Sequence, residues 1–348
     1  MSIAVCLVCL GAYYFVVSRL KQAHKPHSPY RPGRGSDAIQ FWIETPAIMQ
    51  KSDNFTGAVL MMVTMLSFVS NDALMKFAFQ SISVEQGMFL RGAISVPLLG
   101  FLAYVRRGLF VSLDGASWRI IAVRSAAELF GTLAFLTALA HMPLANVTAI
   151  LQSLPLTVTM FAAVFFGEQV GWRRWGAILI GFVGVLIIIR PGGEGFNLYT
   201  ILALIAVASV TVRDAITRRL DRSVPSLFVA FIAAIPVWLY GGVTTFVNGW
   251  TPVSHEQLLA VAIAAIAITS GYLFAVMAMR IGEVSFVTPF RYTGMLWAIL
   301  FGFLLFGVLP DKYTLIGTAI VIGMGIYTFH RERVRRHATT SQTAGRVL

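Results

Sequence analysis

The sequence predicts an all-α integral membrane protein with ten transmembrane helices, arranged as two inverted five-helix repeats. Three observations support this fold class. Hydrophobic residues make up 57% of the chain and charged residues 12%, whereas soluble domains carry about 25% charged residues. Ten apolar runs are long enough to cross a bilayer, which takes roughly 20 residues. The second half of the chain also repeats the pattern of the first half.

The ten predicted helices follow one another with short connections of turn-forming and charged residues. They are expected at 56–76, 82–105, 118–140, 143–166, 172–190, 197–219, 226–247, 255–279, 283–306 and 311–329. The connections leave no room for a soluble domain. We therefore divide the chain into a first repeat, 56–190, and a second repeat, 197–329.

The two ends lie outside this ten-helix body. Residues 1–17 are apolar and at the lower length limit for a span, and the basic, Pro- and Gly-rich residues after them predict a disordered linker. Residues 1–55 are thus either an extra N-terminal anchor with its linker or the product of a start assigned too early, since Met49 also suits a beginning. Residues 330–348 form a basic tail, expected in the cytoplasm.

The basic residues predict the orientation. Twenty of the 27 lysines and arginines fall in tails and connections on one side of the predicted body, and three fall on the other. Because positive charge is retained in the cytoplasm, both ends of the body are expected there, in a bacterial inner membrane. The net charge of +12 is explained by these loops, so no nucleic-acid partner is predicted. The predicted partners are the lipid bilayer and a small solute.

The two halves align at an offset of about 140 residues. Gly131 meets Gly271, Ala138 meets Ala278, and Phe166–Gly167 meets Phe306–Gly307. Because each repeat has five helices, the second repeat must enter the membrane from the opposite face. Inverted repeats place a substrate site near the midplane between the halves and support alternating access.

Repeated charges at two helix ends predict gates. NDALMK at 71–76 and RDAITR at 213–218 contain an acid and a base four residues apart, and we expect gating pairs at Asp72, Lys76, Asp214 and Arg218. The alternative is that they are interfacial ion pairs worth a few tenths of a kcal/mol.

Ionisable and polar residues inside the predicted helices are the candidates for the substrate site. Charges in a bilayer are costly and persist where they face a cavity or a partner. Guanidinium groups are also suited to binding carboxylates or phosphates. The structural alternatives are a helix-locking Arg–Glu pair, snorkelling, and ordinary interhelical hydrogen bonds. The candidates are Arg91, Arg124, Glu128, Gln152, Tyr272, Arg291, Tyr292 and Trp297.

Glu128 is expected to be the only carboxylate near mid-membrane and is therefore the candidate carrier of a coupling proton. Small residues recur at 177 and 181 and at 319 and 323, which allows helices to approach closely. These patterns predict packing within the protomer first and a homodimer interface second.

The run ALAHMPLANVTAILQSLPLTVTMFAAVFFGE at 138–168, together with FLRG at 89–92 and the duplicated plan, resembles the EamA branch of the drug/metabolite transporter superfamily. The Gly167–Glu168 pair matches the family's ending of the fourth helix, whereas the second half has Gly307–Val308. The resemblance spans roughly residues 56–330 and implies a ten-helix carrier of small organic solutes.

The predicted function is secondary transport of a small organic metabolite by alternating access, coupled to protons or to exchange. The alternative transport function is export of cationic compounds or drugs. A membrane-embedded enzyme is disfavoured, because the sequence has no DDxxD run, no HxxxH pair and no Gly-rich phosphate loop. No cofactor or metal is predicted.

Overall fold

The computed structural model describes residues 36–105, 111, 113–192, 196–221 and 224–344. The predicted N-terminal apolar segment lies outside these residues. Over the described ranges the chain is helical and contains ten helices long and apolar enough to cross a membrane. The predicted all-α membrane fold is therefore confirmed.

The helices are numbered here by membrane crossing. Eight are continuous, and two are interrupted near their first third. The continuous helices are α1 Ser36–Ala78, α2 Val84–Val105, α3 Gly115–His141, α5 Trp172–Ile189, α6 Leu198–Thr217, α7 Ser226–Asn248, α8 His255–Ile281 and α10 Lys312–Ala344. The interrupted helices are α4, made of Leu144–Leu151 and Leu154–Phe166, and α9, made of Val284–Val287, a 3₁₀ turn Thr288–Tyr292, and Thr293–Phe306.

Helix α1 begins earlier than expected. Its apolar span starts at Asp53, close to the predicted residue 56, but the helix extends back to Ser36. The Pro- and Gly-rich composition that predicts disorder ends at Gly35, and the residues after it contain only one proline and no glycine before Gly57. The linker prediction was therefore wrong for residues 36–55.

Local capping fixes several helix boundaries. The Asp114 carboxylate accepts a hydrogen bond from the Ser117 amide at the start of α3, and these contacts lower the pKa of that carboxyl. Asn197 caps α6 in the same way, and Ser254 begins α8 with a reciprocal capping box. These side chains satisfy amide groups that have no partner inside the helix.

The repeat is visible in the backbone. Helices α4 and α9 both end at a left-handed glycine, Gly167 and Gly307, each with φ 67°. These two residues are equivalent at the offset of 140. Glycine adopts this conformation without a Cβ penalty and releases the chain from the helix.

Packing follows a pseudo-two-fold axis between the halves. The principal contacts pair helices of opposite halves: α1 with α8, α3 with α6, α2 with α7, and α5 with α10. Gly131 in α3 packs against Ser209 of α6, and its equivalent Gly271 in α8 packs against Ser67 and Phe68 of α1. The two repeats are thus inverted with respect to each other, as predicted.

Helices α5 and α10 meet backbone to backbone. Gly184 lies against the Gly317 carbonyl and Gly317 lies against the Gly184 carbonyl, so neither position has room for a Cβ. Of the small residues expected at helix contacts, Gly181 packs on Leu156 within the protomer. In contrast, Gly323 of the second pattern faces open space. Internal packing therefore accounts for the first pattern but not for the second.

Because the connections are short, successive helices cross in alternating directions. We define the near face as the one at which Asp53 of α1 and Arg331 of α10 lie. The far face carries Ala78 of α1 and Val84 of α2. These names are kept below.

Candidate functional site

A cavity of about 250 Å³ lies between the two halves. Side chains of α1, α2, α3 and α4 from the first half and of α6, α8 and α9 from the second half line its wall. Its polar and charged lining consists of Asn71, Asp72, Arg91, Glu128, Thr132, Thr148, Gln152, Arg213, Tyr272, Arg291 and Tyr292. The structure therefore gathers six of the eight predicted substrate residues, and predicted gate residue Asp72, around one cavity.

The interruptions of α4 and α9 meet at this cavity. Pro155 opens the second piece of α4 and Pro289 lies in the 3₁₀ turn of α9. Because proline has no amide hydrogen, it leaves a carbonyl four residues earlier without its helical partner. The Gln152 amide donates to the Tyr292 carbonyl at 3.4 Å. These two residues are separated by the repeat offset, so each half contributes the same position to this crossing.

Glu128 joins α3 to α6 through ion pairs. Its carboxylate lies 3.2 Å from Arg213 and 3.8 Å from Arg124. Arg213 also binds Asp214 at 2.8 Å. We call Arg124, Glu128, Arg213 and Asp214 the ion-pair cluster. Its two acids and two bases neutralise each other.

Arg124 lies beside the cavity rather than on its wall. Its guanidinium donates to the Thr217 hydroxyl at 3.1 Å and to the Val229 carbonyl at 3.4 Å. It therefore connects α3 to the near-face ends of α6 and α7. Arg124 also lines a smaller neighbouring cleft of about 60 Å³, which shares Arg91, Glu128 and Tyr272 with the central cavity.

Asp72 lies on the cavity wall, not at a mouth. It accepts a hydrogen bond from the Asn71 amide at 2.9 Å, and the Asn71 oxygen accepts one from Arg91 at 3.5 Å. The expectation that Glu128 is the single carboxylate near mid-membrane was therefore wrong. The sequence predicts an interfacial position for Asp72, because residue 72 lies one turn before residue 76, the predicted end of α1.

Arg291 has a different environment from the other cavity arginines. Over the part of the chain that the structure describes, its guanidinium has no hydrogen bond and no carboxylate within 4 Å. It is partly exposed to the cavity. It lies in the same 3₁₀ turn as Pro289, two residues further along the chain.

The two predicted gating pairs do not form. Lys76 instead donates to the carbonyls of Leu139 at 2.8 Å, Ala140 at 3.4 Å and Met142 at 2.8 Å. These are carbonyls of the last turn of α3 and of the residue after it, which lack amide partners in a helix. Asp214 pairs with Arg213 rather than with Arg218, which is exposed. In both helices the acid takes a closer partner than the base four residues on.

Trp297 does not line the cavity. It packs beside a cluster that includes Val69, Leu136 and Ala298, and its indole nitrogen has no hydrogen-bond partner among the described residues. Its aromatic character predicted a lining role, but its place in α9 directs it into the core.

Arg213 lines the cavity but is not among the site residues predicted from the sequence. The signal that could have identified it is its charge inside an apolar helix next to Asp214.

Within the described ranges, no group of three or more His, Cys, Asp and Glu residues could hold a metal ion. The residues on the cavity wall offer binding by charge, hydrogen bonds and aromatic surface.

A glycine of α10 shapes the cavity wall from behind. The Tyr292 hydroxyl occupies the space that a Cβ at Gly325 would need, whereas a Cβ at Gly323 would meet no atom within 4 Å. We expect Gly325→Ala to push Tyr292 toward the cavity and to destabilise the fold by about 1–3 kcal/mol. Gly323→Ala should leave thermal unfolding unchanged. Equal unfolding temperatures for the two variants in detergent would contradict this account.

Comparison with known proteins gives a consistent family. The sequence model of the EamA-like transporter family matches residues 55–190 and 197–329. Related proteins include an S-adenosylmethionine uptake transporter of Rickettsia conorii, 24% identical over 80% of this chain and 94% of the relative. A riboflavin transporter of Rhizobium johnstonii is 24% identical over 84% and 97%. A pseudopaline exporter of Pseudomonas aeruginosa is 25% identical over 77% and 93%.

A solved crystal structure shares the fold. It matches 79% of this chain and 97% of its own with a TM-score of 0.57, at 17% sequence identity.

Proposed function

The chain belongs to the EamA-like transporter family, and we propose that it carries a small organic metabolite across the bacterial inner membrane by alternating access to the central cavity. The observation that supports this most is the composition of the cavity wall, to which both inverted halves contribute. In such folds, movement of one half against the other exposes a central site to each side in turn.

The cavity supports a metabolite-sized substrate. Its volume of about 250 Å³ lies just under the range of roughly 300–1,000 Å³ that is usual for ligand sites. The wall also carries several charged and hydrogen-bonding groups, which favours a polar metabolite over a bulky lipophilic drug. The relatives named above include one uptake transporter and one exporter, so the family permits either direction.

The far face is fastened in this conformation. Lys76 ties α1 to the end of α3. The buried Gln86 side chain exchanges two hydrogen bonds with the Thr251 backbone, and Arg190 pairs with Asp311. At that face, the Gln86 contact joins α2 to the segment before α8, and the Arg190 contact joins the end of α5 to the start of α10. Both of these contacts connect the two halves, whereas the Lys76 contact connects two helices of the first half.

The repeat predicts a second fastening at the near face. The counterpart of Lys76 is Arg218, and the counterparts of its three carbonyls belong to Met279, Arg280 and Gly282 at the end of α8. In this conformation the Arg218 side chain is exposed and, among the described residues, has neither a hydrogen bond nor an ion pair. We propose that Lys76 and Arg218 are alternate latches, one closed in each state. The near face is cytoplasmic by the distribution of lysine and arginine.

The proposed function is tested by thermal unfolding of the purified protein in detergent. The panel should contain S-adenosylmethionine, riboflavin, amino acids, organic acids and lipophilic cations. A ligand of the folded state raises the unfolding temperature by mass action. We expect stabilisation by a metabolite and movement of that metabolite into or out of proteoliposomes. Stabilisation by lipophilic cations alone, with their transport, would favour multidrug export instead.

A further inference from the structure

The charges around the cavity divide into groups that are paired and one that is not. The ion-pair cluster contains Glu128 and Asp214 with Arg124 and Arg213. Each member lies within 3.8 Å of at least one member of opposite charge. It needs no further charge. A ligand that displaced one of these partners would have to break an ion pair that is largely out of water.

Asp72 and Arg91 form a second neutral group. Asn71 stands between them, donating to Asp72 and accepting from Arg91. Arg91 is 8% exposed, so little of its guanidinium is open to a ligand. The side-chain amide of Asn71 therefore links the negative charge of Asp72 to the positive charge of Arg91.

Arg291 is the charged residue of the cavity wall that belongs to neither of these two groups. It is the cavity arginine for which, in the described part of the chain, no acid lies within 4 Å and no group accepts a hydrogen bond. Asp214 lies close enough to feel the charge of Arg291 but beyond ion-pair distance. A charge inside a membrane protein that has no direct partner is costly and marks a site for one. With the other acids and bases matched, the wall has one excess positive charge.

Beside its charged and hydrogen-bonding groups, the wall has an apolar and aromatic surface. Phe68, Phe135 and Tyr272 line it, and Phe68 meets Tyr272 edge to face with ring centroids 5.5 Å apart. Aromatic walls of this kind accept the apolar part of a ligand. A ligand that fits both features carries an anionic group at one end and an apolar or aromatic body.

We propose that Arg291 anchors the substrate and that the substrate is an amphipathic organic anion with a carboxylate or phosphate. This inference rests on the proposed function, because it places the transported molecule in the central cavity. The planar guanidinium donates two parallel hydrogen bonds to either kind of anion. Neutral and cationic molecules of the same shape are then poor ligands.

The test uses four probes with one phenyl body: 3-phenylpropanoate, phenyl phosphate, 3-phenylpropanol and phenethylamine. For the wild-type protein in detergent, we expect one or both anions at millimolar concentration to raise the unfolding temperature by about 2–4 °C. The alcohol and the amine should not. Stabilisation by the carboxylate alone or by the phosphate alone identifies which anion the site takes.

Variants of Arg291 assign the effect to that residue. Arg291→Gln should abolish the stabilisation, and Arg291→Lys should retain it with an affinity lowered about tenfold, because lysine lacks the bidentate fork. Arg119→Gln removes an exposed cation near the start of α3 and should bind as the wild type does. Two results would overturn the proposal. One is that the anions still stabilise the Arg291→Gln variant. The other is that phenethylamine alone stabilises the wild-type protein.

Failure of this inference differs from failure of the proposed function. If no anion stabilises the wild-type protein, the anionic assignment falls. Transport of another metabolite through a cavity that opens to both faces would still support the proposed function. If the cavity opens to one face only, both fall together.

Discussion

Glu128→Gln should both destabilise the protein and abolish most of its transport. The substitution leaves Arg124 without its acid partner and removes one of the two acids on Arg213. Breaking a buried ion pair by removing one member costs about 3–5 kcal/mol, and we expect the lower end of that range here because the Arg213 and Glu128 side chains are partly exposed. Because the pair joins α3 to α6 at the cavity wall, we also expect transport to fall at least about tenfold. Thermal unfolding and proteoliposome flux measure the two effects.

Two further variants make this prediction specific. Glu168→Gln removes an exposed carboxylate after α4 and should behave as the wild type does. The double variant Glu128→Gln/Arg213→Gln leaves Arg124 and Asp214 as one base and one acid. It should lose less stability than the two single variants together, with a coupling of about 0.5–3 kcal/mol. Additive losses would show that Glu128 and Arg213 do not act as a pair.

Lys76→Met should remove the far-face latch and slow transport by about tenfold or more. The variant loses three carbonyl contacts at the end of α3. Hydrogen bonds from charged donors contribute about 1.5–3 kcal/mol each in favourable cases, so the closed far face should be populated less. With Cys6 and Cys9 replaced by serine and Thr132→Cys introduced on the cavity wall, a cysteine-reactive probe applied at that face should label the cavity faster when Lys76→Met is also present.

Arg218→Met is the informative partner of that variant. Its side chain is exposed and makes no hydrogen bond or ion pair in this conformation among the described residues, so a static account predicts no effect. The latch account predicts slower transport with little change in the unfolding temperature. Lys312→Met, which removes an exposed cation at the start of α10, serves as the control. Wild-type transport by Arg218→Met would contradict the alternate-latch proposal.

The fold could be predicted from the sequence because bilayer crossing imposes a length and a composition on every helix. The ten observed spans match the predicted runs within a few residues. The inversion followed from the odd number of helices per repeat. What could not be predicted was the interruption of α4 and α9, although Pro155 and Pro289 were visible. A proline in a membrane helix can be tolerated without a break when neighbours satisfy the free carbonyl.

Most of the charged residues around the cavity could be predicted from the sequence, but their pairing could not. Charges inside apolar helices identified Arg91, Glu128 and Arg291, because few other reasons retain them there. The pairs depend on which helices become neighbours. Helical spacing suggested Arg218 for Asp214 and Lys76 for Asp72, whereas the packed structure offers Arg213 and Asn71. Tertiary contacts decided between partners that sequence spacing made equivalent.

Trp297 shows the limit of residue type as a guide. An aromatic residue two turns after Arg291 was expected on the cavity wall, but α9 turns it into the apolar cluster with Leu136. Arg213 shows the opposite error. The sequence predicts that this charge lies inside a helix. Its pairing with Glu128, however, depends on the packing of α6 against α3 across the pseudo-two-fold axis.

The most direct test of the account is whether the central cavity opens to both faces of the membrane. Thr132 lines the cavity, and Thr132→Cys would be made with Cys6 and Cys9 replaced by serine. Ala149→Cys, at a fully buried position, is the control. A membrane-impermeant methanethiosulfonate should label Thr132→Cys from either face of oriented vesicles and should not label the control. Labelling of Thr132→Cys from one face only would contradict alternating access.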